Sequence, residues 1–287
     1  MSSVLGVGIA TLDIINLVER YPAEDEEVRA VAQRRARGGN ATNTLVVLSE
    51  LGHRCAWAGV LPREADGEFV RAELERHRID LRHVERPVKG KLPVSCILAS
   101  RRTGSRTIVH YRDLPEYSFA AFDRIDLSSF HWLHFEGRAV QELAPMLEKA
   151  AAGPVPVSLE VEKPREGIEA LFGLADLLLF SRVYALSRGF DSPEAFLRQA
   201  VPGGREAWLA WGDAGAWCRD RQGRLHFHAA PRTEVVDSLG AGDTFNAGVI
   251  HGHLSGWALP RILEGAVTLA SAKCAREGFD GLAEVLG

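Results

Sequence analysis

The run Val235-Val236-Asp237-Ser238-Leu239-Gly240-Ala241-Gly242-Asp243-Thr244-Phe245-Asn246-Ala247-Gly248 carries the residue types and spacing best suited to chemistry. An extended Val-Val pair leads into a Gly-Ala-Gly turn, after which Phe245, Val249, Ile250, Leu254 and Trp257 fall on one helix face. The spacing predicts a helix beginning near Gly242. The first amides of a helix have no partner within it, and its dipole places partial positive charge there. Glycines leave such a turn open to a phosphate. Asp243 sits at the turn, where a carboxylate repels a bound phosphate. A general base facing a phosphoryl acceptor is the role that suits it. The same short string also reads as a plain turn with an aspartate cap, because brief glycine motifs recur by chance.

Other polar residues fit a small polyhydroxylated substrate. Asn40 and Asn43, three apart on a helix predicted to start after Gly38-Gly39, offer amide donors and acceptors on one face. Helix capping is the alternative role, more natural for Asn40 than for Asn43 a turn inside. Asp13 lies just past the first strand and adds an acceptor at a strand's carboxyl end. Trp211-Gly212-Asp213-Ala214-Gly215-Ala216-Trp217 is a glycine turn after a strand, equally readable as a hairpin. No Walker A lysine pattern occurs, and Thr11 stands where a dinucleotide fingerprint begun at Gly6-x-Gly8 wants its third glycine. His226/His228, His251/His253 and His131/His134 lack acidic or cysteine partners at ligand spacing and read as surface or packing residues.

These residues need a scaffold. Apolar runs at Val4 to Ala10, Ala56 to Leu61, Trp132 to Phe135, Val155 to Val161, Leu177 to Phe180 and Ala207 to Trp211 predict strands. Helical periods lie between them at Thr42 to Leu51, Gly67 to Arg76, Leu143 to Ala151, Pro164 to Phe172 and Ser192 to Gln199. The alternation predicts an α/β fold whose ligands bind at the carboxyl ends of parallel strands. Two stretches break the rhythm: Asp13 to Arg37 alternates, and Val94 to Ala99 and Thr107 to His110 form two strands around a polar turn. They predict an antiparallel β lid at 13–37 and 91–111, inserted into a main domain of 1–12, 38–90 and 112–287. A sheet with one apolar face and no helices of its own must cover a site or another subunit.

Composition sets the limits. The chain has 287 residues, 46% of them apolar and 25% charged, enough to bury a large core. With 34 Lys plus Arg against 38 Asp plus Glu, the net charge of -4 gives no footprint for nucleic acid or an anionic membrane. Cys55, Cys96, Cys218 and Cys274 form no C-x-x-C pair and read as reduced thiols. The N-terminus has no basic region before its apolar residues, so no signal peptide is expected, and the cytoplasm is the expected location.

The string D-S-L-G-A-G-D-T-F-N-A-G closely resembles the C-terminal signature of the ribokinase-like, PfkB-type carbohydrate kinases. Arg37 to Asn43, followed by a helix ending at Leu51-Gly52, resembles their N-terminal glycine motif. Finer strings resemble the ketohexokinase branch of the family. They are Leu12 to Ile15, Tyr21-Pro22, Asp25, Gly104 to Ile108, Glu136-Gly137-Arg138, Glu160 to Glu166 and Gly278 to Gly281, in the same order along nearly the whole chain. The resemblance implies a three-layer α/β/α sandwich with a mainly parallel central sheet and a small β lid. It implies ATP-dependent transfer to the 1-hydroxyl of a ketohexose, D-fructose to D-fructose 1-phosphate. Asp243 would be the base and Gly240, Ala241 and Gly242 the anion hole. Asp13, Gly39, Asn40 and Asn43 would hold the sugar, with Asp243 at its reactive hydroxyl. Arg106, on its own a solvated surface charge, would reach over the site to the phosphate. Gly212, Asp213, Ala214 and Gly215 would face the nucleotide. The implied companions are ATP, nucleotide-bound Mg²⁺ with K⁺ as an optional second cation, and a second copy of the chain joined through the lids, with Asp25 directed at the partner's site. Ser181-Arg182-Val183-Tyr184 stands where many relatives carry N-x-x-E, as in the ketohexokinase branch, so metal ligands stay unassigned. Two alternatives remain: another sugar kinase of the family, or a sugar-binding protein without turnover.

Overall fold

The computed structural model describes residues 1–286, whose strands form two sheets. In chain order these are β1 (Ser3–Val7), β2 (Thr11–Val18), β3 (Ala32–Gly38), β4 (Arg54–Ala58), β5 (Lys91–Ser100) and β6 (Arg106–Asp113). There follow β7 (Trp132–Glu136), β8 (Val157–Val161), β9 (Leu177–Ser181), β10 (Glu206–Ala210), β11 (Ala216–Arg219) and β12 (Leu225–His228). The helices are α1 (Asn40–Glu50), α2 (Ala65–Arg76), α3 (Phe119–Phe122), α4 (Val140–Ala151), α5 (Arg182–Ser187), α6 (Pro193–Gln199), α7 (Ala241–Leu254) and α8 (Leu259–Cys274).

The main sheet runs β12-β11-β10-β9-β8-β7-β1-β4. Its six strands from β4 to β10 are parallel, and β11 and β12 close one edge antiparallel. Helices cover both faces, so the strands are buried on both sides and read as unbroken apolar runs. Alternation divides the side chains between two cores. Leu5, Leu178 and Phe180 pack with α4 and α6 on one face, while Val4, Leu177 and Leu179 pack with α1, α7 and α8 on the other. This is the expected α/β architecture. No helix among the described residues is long and apolar enough to cross a membrane.

The second sheet, in order β3-β2-β5-β6, comes from the two stretches that break the rhythm. Each hairpin-like pair, β2 with β3 and β5 with β6, is antiparallel. The pair that joins them, β2 with β5, is parallel, because the chain crosses the main domain through α1, β4 and α2 before returning in the same direction.

Two local expectations are corrected. The stretch from Asp13 to Arg37 is not extended strand throughout: β2 ends at Val18 and β3 begins only at Ala32. Pro22 supplies no amide, and Asp25 takes φ 62°, so the acidic stretch turns instead of pairing. Pro164 to Phe172 is not an α-helix. Gly167 at φ 78° turns the chain, and only a 3-10 segment, Ile168–Leu174, follows.

Candidate active site

β1, β7, β8 and β10 all end on the same side of the main sheet, and α1 and α7 begin there. Gly39, at φ 108°, lies so close to β1's exit that a Cβ would stand 2.2 Å from the carbonyl oxygen of Ile9. Only glycine lets the chain turn into α1 at that point. Gly240 plays the same part before α7. It takes φ 78°, and a Cβ there would meet the Phe279 ring at 2.5 Å.

The α7 turn has the predicted shape. Ala241 N–H reaches the carbonyl of Ser238 at 3.4 Å, while the amides of Gly240, Gly242 and Asp243 find no acceptor among the described residues. Space beside Gly242 is open. Asp243 is buried, and its Oδ2 accepts a 2.6 Å hydrogen bond from Asn43 Nδ2. Asn43 is oriented in turn by Arg37, whose Nη1 donates to Asn43 Oδ1 at 2.7 Å and to Thr42 Oγ1 at 2.9 Å. Residues 37, 43 and 243 thus form one line in which each group fixes the next.

Electrostatics at Asp243 follow from its surroundings. Burial pushes its pKa up to about 7, Glu162 and Glu136 push the same way, and the Asn43 bond and the Arg37 charge oppose them. Glu160 is buried at the end of β8 and lies well above the ordinary carboxyl range, through burial first and then the neighbouring charges of Asp243, Glu136 and Glu162. Its Oε1 accepts from Asn40 Nδ2 and from Asn246 Nδ2, both at 3.1 Å, whereas its Oε2 is buried without a partner. Glu162 Oε2 accepts from the same Asn40 amide at 3.0 Å. An orphaned carboxylate oxygen beside a second carboxylate is a set of hard donors of the kind Mg²⁺ takes.

The other anticipated residues are spread around this centre. Asp13 lines, with Arg37, Asn43 and Phe279, a cavity of about 140 Å³. Burial raises its pKa, and Thr11 Oγ1 donates to it at 2.9 Å. Asn40 and Asn43 do not act together on one partner: the first serves Glu160 and Glu162, the second Asp243. Neither caps α1, whose N-cap is Gly39. Arg106, on lid strand β6, donates through Nη1 to Ser238 Oγ beside the α7 turn. Gly212, Asp213, Ala214 and Gly215 make the turn between β10 and β11, closed by Trp211 N–H on Gly215 O at 2.8 Å. That turn is a hairpin at the same end of the sheet. Asp25 is exposed in the connection between β2 and β3. Five of these six histidines have separate partners: His226 faces Asp220, His251 faces His53, His253 faces Glu206, and His131 and His134 bond Ser3 and Ser158.

Sequence reasoning left Arg37, Glu136, Asn246 and the paired carboxylates Glu160 and Glu162 without a role. Arg37 and Glu136 sit inside strings that drew notice, but nothing in the strings says that a guanidinium would be sealed against Asn43. Asn246 is one turn beyond Asp243 on α7, and helical spacing alone could have found it.

A model of the family described as pfkB family carbohydrate kinase matches residues 1–284. The chain is 39% identical to mouse ketohexokinase over 292 aligned positions, covering 97% of this chain and 98% of that protein. It is 25% identical to an ATP-dependent ribose-1-phosphate kinase of Halopiger xanaduensis, over 97% of this chain and 94% of the relative. Among solved structures, a ribokinase from Thermotoga maritima superposes with a TM-score of 0.78 at 20% identity, covering 100% of this chain and 98% of that one. A PfkB protein from Polaromonas superposes with a TM-score of 0.78 at 22% identity, covering 99% of each chain. A buried carboxylate at a helix N-terminus with open amides, a second sheet bonded to the same turn, and a match along almost the full length lead to one conclusion: the chain is a sugar kinase belonging to the pfkB family of carbohydrate kinases.

Proposed function

We propose that the chain is an ATP-dependent ketohexokinase that phosphorylates the 1-hydroxyl of D-fructose or a close ketose. The observation that carries the reading is Asp243, buried beside the free amides of Gly242 and its own backbone and held by Asn43. A carboxylate within reach of both an acceptor hydroxyl and a phosphate has a use in phosphoryl transfer and none in passive binding. The likeness to mouse ketohexokinase supports the choice of sugar.

In this mechanism the ketose lies against Asp13, Gly39, Asn40 and Asn43, with its 1-hydroxyl at Asp243. Arg37 holds the Asn43 amide so that its nitrogen faces the base. Asp243 takes the hydroxyl proton as the oxygen attacks the γ-phosphorus, while the bond from that phosphorus to the β–γ bridging oxygen breaks and ADP leaves with the bridging oxygen. The Gly240 to Asp243 amides stabilise the negative charge spreading over the phosphoryl oxygens, and Arg106 supplies a guanidinium from the lid. Gly212 to Gly215 border the nucleotide. Mg²⁺ would neutralise phosphate charge, and Glu160 and Glu162 are the residues that would hold it, directly or through water.

The partner is a second copy of the chain, joined through the lids. Ile108, Val109 and Tyr111 on β6 are exposed and apolar, on a strand without helices over it. Asp25 then approaches the partner's sugar. The four free cysteines suit the reducing cytoplasm.

Coupled ADP release across a panel of ketoses and aldoses tests the assignment, with ³¹P and ¹³C NMR locating the phosphate on the product. Fructose accepted at its 1-hydroxyl is the expected result. Phosphorylation only at a 6-hydroxyl would make the chain a different sugar kinase, and binding without ADP release would make it a sensor.

A further inference from the structure

We infer that His110, fixed by Ser95, is a specificity-determining residue that reads the hydroxyl at the end of the sugar remote from the one at Asp243. The inference rests on the proposed ketohexokinase reading and deepens it. Strand pairing sets the arrangement. Asp13 on β2 stands beside Ser95 on β5, and Ser95 beside His110 on β6, so the three share one row and one face of the second sheet. Asp13 lines the same cavity as Arg37 and Asn43. At the other end of the row His110 meets the loops that follow β7 and β8, where the charges of Arg138 and Lys163 act on it, with Arg112 from its own strand. Glu162, next to Lys163, bonds Asn40. The row therefore faces the asparagines proposed to hold the sugar.

Hydrogen bonds assign the roles within the row. Ser95 is buried, and its Oγ is 3.2 Å from His110 Nδ1. Burial raises the pKa of Asp13, and hydrogen bonds from Thr11 and then Ser95 lower it. With the Ser95 proton directed at that carboxylate, the Ser95 oxygen accepts from His110 Nδ1–H, and Nε2 carries a lone pair. Nε2 has no partner among the described residues, and each cation near it already has a carboxylate. Arg138 has Glu116 and Glu136, Arg112 has Glu116, and Lys163 has Glu162. Burial and those cations lower the His110 pKa while Asp13 opposes them, so at pH 7 the ring is neutral and Nε2 is an acceptor. A neutral acceptor suits a sugar hydroxyl, which donates a hydrogen bond without bringing charge. The next row on this face is Ile15, Ile97 and Ile108, which offers a hydroxyl nothing. Across two strand spacings the backbones of Asp13 and His110 are about 10 Å apart, so one hydroxyl cannot serve both. With the 1-hydroxyl at Asp243 and Asp13 on the middle of the sugar, the 6-hydroxyl is the group left for His110.

The test compares D-fructose with 6-deoxy-D-fructose by ADP release in wild type, His110→Ala, His110→Gln and Ser95→Ala, with thermal unfolding of each. Wild type is expected to prefer fructose at least ~10-fold in kcat/KM, the scale of one hydrogen bond to an otherwise unpaired acceptor. His110→Ala should shrink that preference to about threefold or less by raising the fructose KM. Its kcat, its constants for the 6-deoxy sugar and its Tm should stay close to wild type, because the side chain is exposed. His110→Gln, whose amide oxygen can replace the lone pair, should recover a preference of at least about fivefold. Ser95→Ala, which leaves the ring without its anchor, should fall between wild type and His110→Ala. A wild type that takes both sugars equally, a His110→Ala that keeps the full preference, or one that loses both sugars equally would each overturn the inference while leaving the kinase assignment standing. If His110→Ala does not fold, the other two variants decide, and an undiminished preference in Ser95→Ala overturns the inference. Wild type inert toward every ketose would overturn the ketohexokinase reading and this inference with it.

Discussion

Asp243 gathers the strongest expectations at the residue scale. In the proposed mechanism Asp243 accepts the proton and must be ionised to work, so kcat/KM for the sugar should fall on the acid side with a midpoint near its pKa of about 7. Asp243→Asn should lower kcat by ~10³-fold, within the range for a lost general base, while ATP affinity stays close to wild type. Near-normal turnover by that variant would remove Asp243 from the chemistry. Its folded pKa is raised above that of a free aspartate, so its contribution to stability is greatest below the unfolded value and is lost as pH climbs through about 7. Thermal unfolding should therefore find Asp243→Asn more stable than wild type at pH 8, on the order of 5 °C, with the gap closing toward pH 4. The Asn43 bond lowers the Asp243 pKa, so Asn43→Ala should move the acid limb of the pH profile upward. A limb that stays in place would mean that the Asn43 bond does not tune the ionisation of Asp243.

At the scale of elements, the two glycines of the α7 turn should respond differently. Gly240 has a positive φ and Phe279 against its α-carbon, so Gly240→Ala adds backbone strain and a clash, costing ~2 kcal/mol or more. Gly242 is helical with open space beside it, so Gly242→Ala should leave Tm nearly unchanged. It places a methyl where the proposed phosphate site lies, and kcat or the KM for ATP should suffer at least about tenfold. Equal behaviour of the two variants in Tm and kinetics would refute the distinction. The second sheet meets this turn twice, through Arg34 on Asp237 and Arg106 on Ser238, which ties β3 and β6 to the element proposed to bind phosphate.

For the whole molecule, β6 is the open question, since Ile108, Val109 and Tyr111 face solvent in the single chain. Light scattering at micromolar concentration should give twice the 31.4 kDa chain mass, and Val109→Asp should return the mass to that of one chain. A wild-type monomer would refute the lid-to-lid pairing.

Period, glycine punctuation and motif order were enough to determine the α/β alternation, the separate small sheet and the α7 turn, because those features depend on near neighbours along the chain. The parallel pairing of β2 with β5 could not be read that way, since it depends on where the chain returns after α1, β4 and α2. Nor could the line from Arg37 through Asn43 to Asp243, whose last two members lie 200 residues apart. Asn40, predicted to share a face with Asn43, turned instead to Glu160 and Glu162, because folding brought the end of β8 beside it. Lys273 is the clearest case. In the sequence it is one lysine in a polar-flanked helix, with the ordinary expectation of exposure. The packing of Phe279 and the loop from Asp237 to Gly240 around its ammonium made it a buried charge. Burial and charge pairing are properties of the tertiary structure, and they decide which of the polar residues named by sequence meet at the site.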